Sequence, residues 1–144
     1  MAESFDVVVL GIGNAGMGVA DAAGKSVAIV ESWDVGGTCP LRGCVPKKVL
    51  VAPAQTLATI GQANEQKTSI GDVSLDWGAS MARERTFVEG TTAAFIGSLE
   101  SRGIELVRGP AKFSGSNQIN ADGRILDAGK IVIATGCKTT TARH

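Results

Sequence analysis

The chain reads as an α/β protein with a parallel sheet, long helices and a small antiparallel β-meander. Three observations predict this. Two apolar runs, 5–10 and 26–31, flank a short stretch rich in Ala and Gly. That is the strand, crossover helix and strand that a parallel pair requires. Two later stretches, 46–61 and 76–102, have helical length. From Ala111 onward, short strand-like pieces alternate with turn residues, the rhythm of a meander.

Taken in order, residues 5–10 form an unbroken apolar run after one acidic residue, as in a strand buried on both faces. Gly11 breaks the run, and a helix is expected over 14–23. Gly24-Lys25 ends it, and 26–31 forms a second buried strand. Pro46 is expected to open a helix reaching about Gly61, because its missing N–H was unpaired in a first turn anyway. Pro53 should kink that helix by removing a backbone hydrogen bond. Residues 62–74 are polar with scattered glycines, a surface connection. Residues 76–102 read as one long helix, or two broken near Glu89-Gly90-Thr91. Met81, Phe87-Val88, Phe95-Ile96 and Leu99 supply its core-facing side. Gly103 caps it, and 104–107 returns as a strand. Strand pieces at 111–113, 118–120, 124–126 and 130–134 follow, split by Ser114-Gly115-Ser116-Asn117, Asp122-Gly123 and Gly129. Asp-Gly between such pieces is a hairpin signal. Ile131-Val132-Ile133 is expected to be a last buried strand. There is no internal repeat.

At 144 residues the chain is of one-domain size. Fourteen basic and fourteen acidic residues cancel, which argues against charge-driven binding to nucleic acid or anionic membrane. No window approaches the ~20 apolar residues of a membrane span, and the opening residues carry no targeting pattern. A cytoplasmic location is the resulting expectation. Four Phe, two Trp and no Tyr argue against stacking platforms for bases.

Gly11-Ile12-Gly13-Asn14-Ala15-Gly16 is a GxGxxG between a strand and a helix. The first glycine permits a tight turn, the second lets backbone approach a pyrophosphate, and the third lets helix pack on strand. The helix start, with Asn14 and Ala15, offers N–H groups and a favourable dipole to two phosphates. Glu31 ends the second strand twenty residues after Gly11, where a carboxylate can accept from ribose hydroxyls. The pattern describes a Rossmann-like dinucleotide cradle without distinguishing FAD from NAD. A glycine-rich turn holding no ligand is the bland alternative.

Beyond the cradle lies Gly36-Gly37-Thr38-Cys39-Pro40-Leu41-Arg42-Gly43-Cys44-Val45-Pro46-Lys47-Lys48. Cys39, Cys44 and Cys137 are too few for a secreted disulfide framework. Two of them close together read as redox-active. They could instead be small core residues, or join Cys137 and His144 around zinc, a spacing that structural zinc sites disfavour. We expect no metal site. A cysteine near a helix N-terminus and beside lysines has its thiolate favoured, the form that disulfide exchange uses. Lys47 and Lys48 read equally well as a solvated helical face.

The cysteine segment resembles the active-site signature of the class I pyridine nucleotide–disulfide oxidoreductases, which include glutathione reductase, dihydrolipoamide dehydrogenase and mercuric reductase. Pro-Leu-Arg between the cysteines and Lys-Lys-Val-Leu-Val after them are most similar to the glutathione and mercuric reductase branches. The resemblance runs from Phe5 to about Gly136. It adds Asp76-Trp77, Gly109-x-Ala111-x-Phe113 and Ile133-Ala134-Thr135-Gly136.

The resemblance implies an FAD-binding segment whose flavin passes electrons to a Cys39–Cys44 disulfide, with NAD(P)H as reductant in the complete enzyme. Gly11, Gly13, Gly16 and Glu31, with Asn14 and Ala15, resemble the FAD cradle. Gly37 counts with the cofactor-binding residues, and Thr38 resembles the residue on the pyrophosphate side. Cys39 resembles the interchange thiol and Cys44 the charge-transfer thiol. Lys48, or its neighbour Lys47, resembles the lysine near flavin N5. Ala111 resembles a position whose backbone meets adenine, and Thr135-Gly136 lies near the cofactor's phosphate end. The acceptor would be a small-molecule or peptide disulfide.

Two departures from the family shape the expectations. The first helix is short by about three residues, roughly 4.5 Å, which bears on the packing that positions the pyrophosphate. Residues 1–136 are expected to be the FAD-binding segment and 137–144 a tail, with the NAD(P)H domain, the returning FAD segment and the interface domain absent. His144 then reads as a terminal residue and Cys137 as incidental. A truncated form would turn over poorly alone and could self-associate or need a C-terminal partner. The rival readings are one part of a split reductase, or a non-enzymatic dinucleotide-binding module whose cysteines sense redox state.

Overall fold

The computed structural model describes residues 2–22 and 26–137. In chain order its elements are β1 (Glu3–Leu10), α1 (Asn14–Ala22), β2 (Val27–Glu31), α2 (Thr38–Arg42), α3 (Cys44–Gly61) and α4 (Trp77–Val88). Then come α5 (Thr91–Ser101), β3 (Glu105–Arg108), β4 (Ala111–Gly115), β5 (Gln118–Ala121) and β6 (Arg124–Ile133). They form two compact units, Met1–Gly37 with Thr92–His144, and Thr38–Thr91. The expected end of the first helix at Gly24-Lys25 and the tail beyond Cys137, His144 included, lie outside the described residues.

The first unit is built on one six-stranded sheet in the order β3-β2-β1-β6-β5-β4. The first four strands run parallel, and β6, β5 and β4 form the antiparallel meander. The fold is therefore the Rossmann-like α/β arrangement that the strand-helix-strand pattern implies. Its two apolar runs are buried on both faces. Val8, Leu10, Ala28 and Val30 pack with Val107, Ile119, Ala121 and Leu126. Their neighbours Val7, Val9, Val27 and Ile29 pack with Ile12, Ala20, Val35 and Leu99. Alternate residues of a strand face opposite ways, so a continuous apolar run suits a strand covered on both sides.

The long segment 76–102 divides where expected, at Glu89-Gly90, into α4 and α5. Leu99 is fully buried, and Phe95 and Ile96 pack against the same cluster. Gly103 ends α5 with φ of 66°. Asp122 and Gly123 have φ of 50° and 88°, the double left-handed pair of a type I′ hairpin turn. The Gly123 N–H donates to Asn120 Oδ1 at 2.9 Å. At the opposite end of the strands from the glycine loop, Arg124 donates to both carboxylate oxygens of Glu3 and to Glu105, tying the starts of β6, β1 and β3.

Several expectations fail. Gly129 does not divide two strands, because β6 runs through it unbroken. A Cβ there would lie 2.8 Å from the Asp6 carbonyl oxygen, so the glycine serves close strand approach rather than a turn. The end of β6 is not buried, since Ile133 is 66% exposed. In the second unit, α2, α3 and α4 contain no fully buried residue. Phe87 is half-exposed and Met81 and Val88 only partly covered, because so small a helical unit has little apolar surface with which to close a core. The helix expected from Pro46 starts at Cys44, leaving Pro46 within its first turn, and it continues through Pro53. The one backbone bond that Pro53 removes does not end an 18-residue helix. Asp76 caps α4 by accepting from the Ala79 N–H at 2.9 Å.

Candidate functional site

The glycine loop sits at the carboxyl ends of β1, β2 and β6, where open α/β sheets place their ligands. Gly11 has φ of 99°, and its N–H donates to the Val30 carbonyl at 2.8 Å. A Cβ on it would lie 2.6 Å from the Ala134 oxygen and 3.1 Å from the Thr135 Cα. The loop is thus wedged against the 133–136 segment, which brings Thr135 to the cradle. The Gly13 carbonyl accepts from Met17 at 2.9 Å, closing the first turn of α1. The N–H groups of that turn have no partner within the helix. A Cβ at Gly16 would lie 1.9 Å from the Gly11 oxygen, so α1 rests directly on the loop. The shortened helix therefore keeps its N-terminal packing.

Gly37 closes the cradle from the other side. Its φ is 72°, and a Cβ there would fall 2.6 Å from the Gly13 Cα. The segment leading to it is held by Thr92, whose hydroxyl donates to the Val35 carbonyl at 2.9 Å. By contrast, a Cβ on Gly13 would meet nothing within 4 Å. Of the three motif glycines, the one whose absent side chain leaves room for a ligand is the second.

Glu31 does more than end its strand. Its Oε2 accepts from the Ile12 N–H at 3.0 Å and its Oε1 from the Trp33 N–H at 2.7 Å. The carboxylate therefore braces the glycine loop and the turn after β2 together. The Gly109 N–H donates to the Glu31 carbonyl at 2.9 Å, which ties in the connection leading to Ala111. Ala111 itself opens β4 as an exposed residue. The motif spacing points to Glu31 but not to Ile12 and Trp33 as its partners, since a backbone donor leaves no trace in residue type.

The cysteine pair belongs to the second unit. Thr38 and Cys39 lie in α2, and Cys44 is the first residue of α3. A Cβ on Gly43 would sit 3.1 Å from the Thr38 oxygen and 3.4 Å from the Cys39 Cα. This tight turn between the helices brings the two thiols together. Cys39 is half-buried and Cys44 exposed. The hydrogen bond Cys44 shares with Cys39, then the charge of Cys39, then slight burial push the Cys44 thiol up. A backbone hydrogen bond and the nearby charge of Lys47 act the other way. The expectation that a helix start and lysines favour a thiolate is thus not met at Cys44. A negative charge on Cys39 disfavours a second one alongside. Lys47 and Lys48 are both exposed on α3. Among the described residues no group of three or more His, Cys, Asp or Glu comes together as for a metal ion. No helix among them is long and apolar enough to cross a membrane.

The chain thus carries a dinucleotide-type cradle and a pair of thiols. Residues 5–143 match the pyridine nucleotide-disulphide oxidoreductase family. The chain belongs to that family. It is 32% identical over 142 residues to a dihydrolipoyl dehydrogenase of Chlamydia pneumoniae, covering 94% of this chain and 31% of the relative. It is 33% identical over 141 residues to a glutathione reductase of Burkholderia cepacia, covering 93% and 30%. A dihydrolipoyl dehydrogenase of Acholeplasma laidlawii is 28% identical, with 42% of its length covered. The chain therefore spans about a third of the length of the curated relatives it matches. Its membership in the pyridine nucleotide-disulphide oxidoreductases and its paired thiols together make it a redox-active oxidoreductase module.

Proposed function

We propose that this chain is the FAD-binding segment of an NAD(P)H:disulfide oxidoreductase of the glutathione reductase or mercuric reductase type, its Cys39–Cys44 pair being the electron acceptor. The observation that carries this reading is the Cys39–Cys44 pair, set together by the tight turn at Gly43, in a chain that also holds an open-faced glycine cradle. The cradle fits a dinucleotide. Protein atoms crowd Gly11, Gly16 and Gly37, while Gly13 faces open space, as close approach of a pyrophosphate requires. Gly13 and the first turn of α1, with Asn14 and Ala15, would hold the phosphates. Glu31 would hold the ribose, Gly37 and Thr38 would line the pyrophosphate side, Thr135-Gly136 would lie at the phosphate end, and Ala111 would offer backbone to the adenine. FAD, when bound, supplies the two-electron chemistry that takes hydride from NAD(P)H, and Lys47 or Lys48 would stand near the ring.

The chain's own part is thiol–disulfide exchange. Reduction of the Cys39–Cys44 disulfide consumes two electrons and two protons and yields two thiols. The Cys39 thiolate attacks one sulfur of the acceptor disulfide, forming a mixed disulfide and releasing the first acceptor thiol with a proton. The Cys44 sulfur then attacks Cys39 and gives up its proton, which regenerates the internal disulfide and releases the second thiol. A negative charge on Cys39 disfavours one on Cys44, which suits this order.

As the chain spans about 30% of these relatives, NAD(P)H oxidation and acceptor choice belong to the proposal for the whole protein. The test is the visible spectrum of the purified chain after incubation with FAD and desalting, before and after stoichiometric dithiol. Retained flavin absorbance with a new long-wavelength band on reduction, absent from Cys44→Ser, is expected. Loss of all flavin on desalting would refute cofactor binding by this chain.

A further inference from the structure

We propose that the hollow between α1 and the sheet binds a small amphipathic anion, an apolar ring or short chain carrying one carboxylate or sulfonate. The proposal does not depend on the dinucleotide reading. The hollow measures about 510 Å³, within the ~300–1,000 Å³ of small-molecule sites. Val7 of β1 and Val132 of β6 line it from the sheet, and Ala15 and Val19 line it from the helix. Gly18 creates the space. Its backbone is helical, and a Cβ there would meet nothing within 4 Å, so neither a turn nor a protein neighbour asks for glycine. Gly16 differs, because the Gly11 oxygen crowds it. Glycine inside a helix is destabilising relative to alanine, so Gly18 keeps this volume open at the expense of the helix. Walls so apolar give water few partners.

The polar groups of the lining decide the charge of the occupant. Lys130 pairs with Val7 across the β1–β6 ladder, and both line the hollow. A lysine in such a place extends the apolar wall with its stem and keeps its ammonium in water at the rim. Among the described residues Lys130 makes no ion pair, and no Asp or Glu of theirs lines the hollow. Asn14, the first residue of α1, adds an amide to the lining, and an amide N–H donates. Apolar walls beside an unpaired ammonium and an amide donor match an apolar body with one anionic head. A cation would meet like charge at the rim, and a sugar would leave its hydroxyls against valine.

The probe is anilinonaphthalene sulfonate, which brightens on leaving water, with uncharged N-phenylnaphthylamine as its comparison. The unaltered chain should bind the sulfonate dye saturably. Both dyes should lose their binding in Gly18→Leu, whose side chain fills the hollow while favouring the helix. Lys130→Gln should weaken the sulfonate dye about threefold, as loss of an exposed ion pair does, and leave the neutral dye unchanged. Lys130 is exposed, so this second variant reads the site even where circular dichroism shows that Gly18→Leu disturbs folding. Equal binding of the sulfonate dye by the unaltered chain and both variants would overturn the proposal. So would an equal loss of both dyes in Lys130→Gln, because charge would then play no part. A dimer in sedimentation that Gly18→Leu converts to monomer, with no dye bound by the unaltered chain, would also overturn it and give the hollow to a second copy.

Discussion

Replacing Gly16 by alanine puts a methyl group where the chain has left no room. The new Cβ would lie 1.9 Å from the Gly11 carbonyl oxygen, against a practical minimum of 3.0 Å, so α1 must retreat from the loop by at least 1.1 Å, the difference between those two values. Alanine has no rotamer with which to escape. The oxygen cannot swing aside freely either, because the Gly11 N–H is bonded to Val30 and the Leu10 carbonyl to Ala134. Overpacking of this kind costs ~1–3 kcal/mol, and a main-chain contact in so constrained a loop belongs at the upper end. The gain in helix propensity returns about 1 kcal/mol, leaving a net loss of ~2 kcal/mol.

Gly18 supplies the internal control. It lies on the same helix, and a methyl group added there would meet nothing within 4 Å. It faces a hollow of about 510 Å³ that it lines with Val7, Val19 and Val132. Gly18→Ala should therefore stabilise by ~0.5–1 kcal/mol. The two alanine variants are expected to differ by about 3 kcal/mol, on the order of 10 °C in melting temperature for a chain of this size. Urea unfolding followed by circular dichroism measures the gap. FAD binding should fall more than tenfold in Gly16→Ala, because the first-turn N–H groups move with the helix, and remain unchanged in Gly18→Ala. Equal stability of the two variants would refute the account of Gly16 as the contact that seats α1 on the loop.

Three further outcomes follow from the same geometry. Glu31→Ala leaves the Ile12 N–H without its acceptor beside a fully buried side chain and should cost ~1–3 kcal/mol. Glu31→Gln, which keeps one accepting oxygen, should cost less, and an unchanged urea midpoint in Glu31→Ala would count against the brace. In fully reduced protein carrying Cys137→Ser, Cys39→Ser removes the two largest causes of the raised Cys44 pKa and leaves Lys47 acting to lower it. Alkylation of Cys44 near neutral pH, mapped by mass spectrometry, should then accelerate, and an unaltered rate would show that Cys39 does not hold that proton in place. Glu3 is lowered chiefly by its hydrogen bonds from Arg124. A depressed carboxylate contributes stability above its unfolded pKa of about 4.3 and loses it as the pH falls through the folded value. The difference in melting temperature between the unaltered chain and Arg124→Gln should therefore narrow below about pH 4.3, and a constant difference down to strong acid would contradict the linkage.

The elements most legible in the sequence are those with a local physical cause. The apolar runs around residues 7–10 and 27–30 predict doubly covered strands because every side chain is apolar, whichever face it meets. Asp122-Gly123 predicts a hairpin because few residue pairs accept two left-handed conformations in succession. Gly129 misleads because a glycine that relieves a close strand contact looks, in one dimension, the same as one that permits a turn. Phe87 misleads because an apolar residue at helical spacing reveals a face but not whether anything covers it. Pro46 marks a helix start by its chemistry, while the turn at Gly43 begins the helix two residues earlier, at Cys44.

What the sequence by itself determined is the chemistry available: three glycines and a carboxylate at dinucleotide spacing, and two cysteines with four residues between them. Residue type and short-range spacing carry that information because tight turns and helix starts are local events. Only the tertiary structure decided how those groups act on one another. It shows Glu31 occupied with two backbone donors, Gly37 folded back onto Gly13, and Cys39 set beside Cys44 so that its charge raises the Cys44 pKa. Each of these depends on backbone atoms or on a neighbour's charge, and such interactions follow distance in space rather than order along the chain.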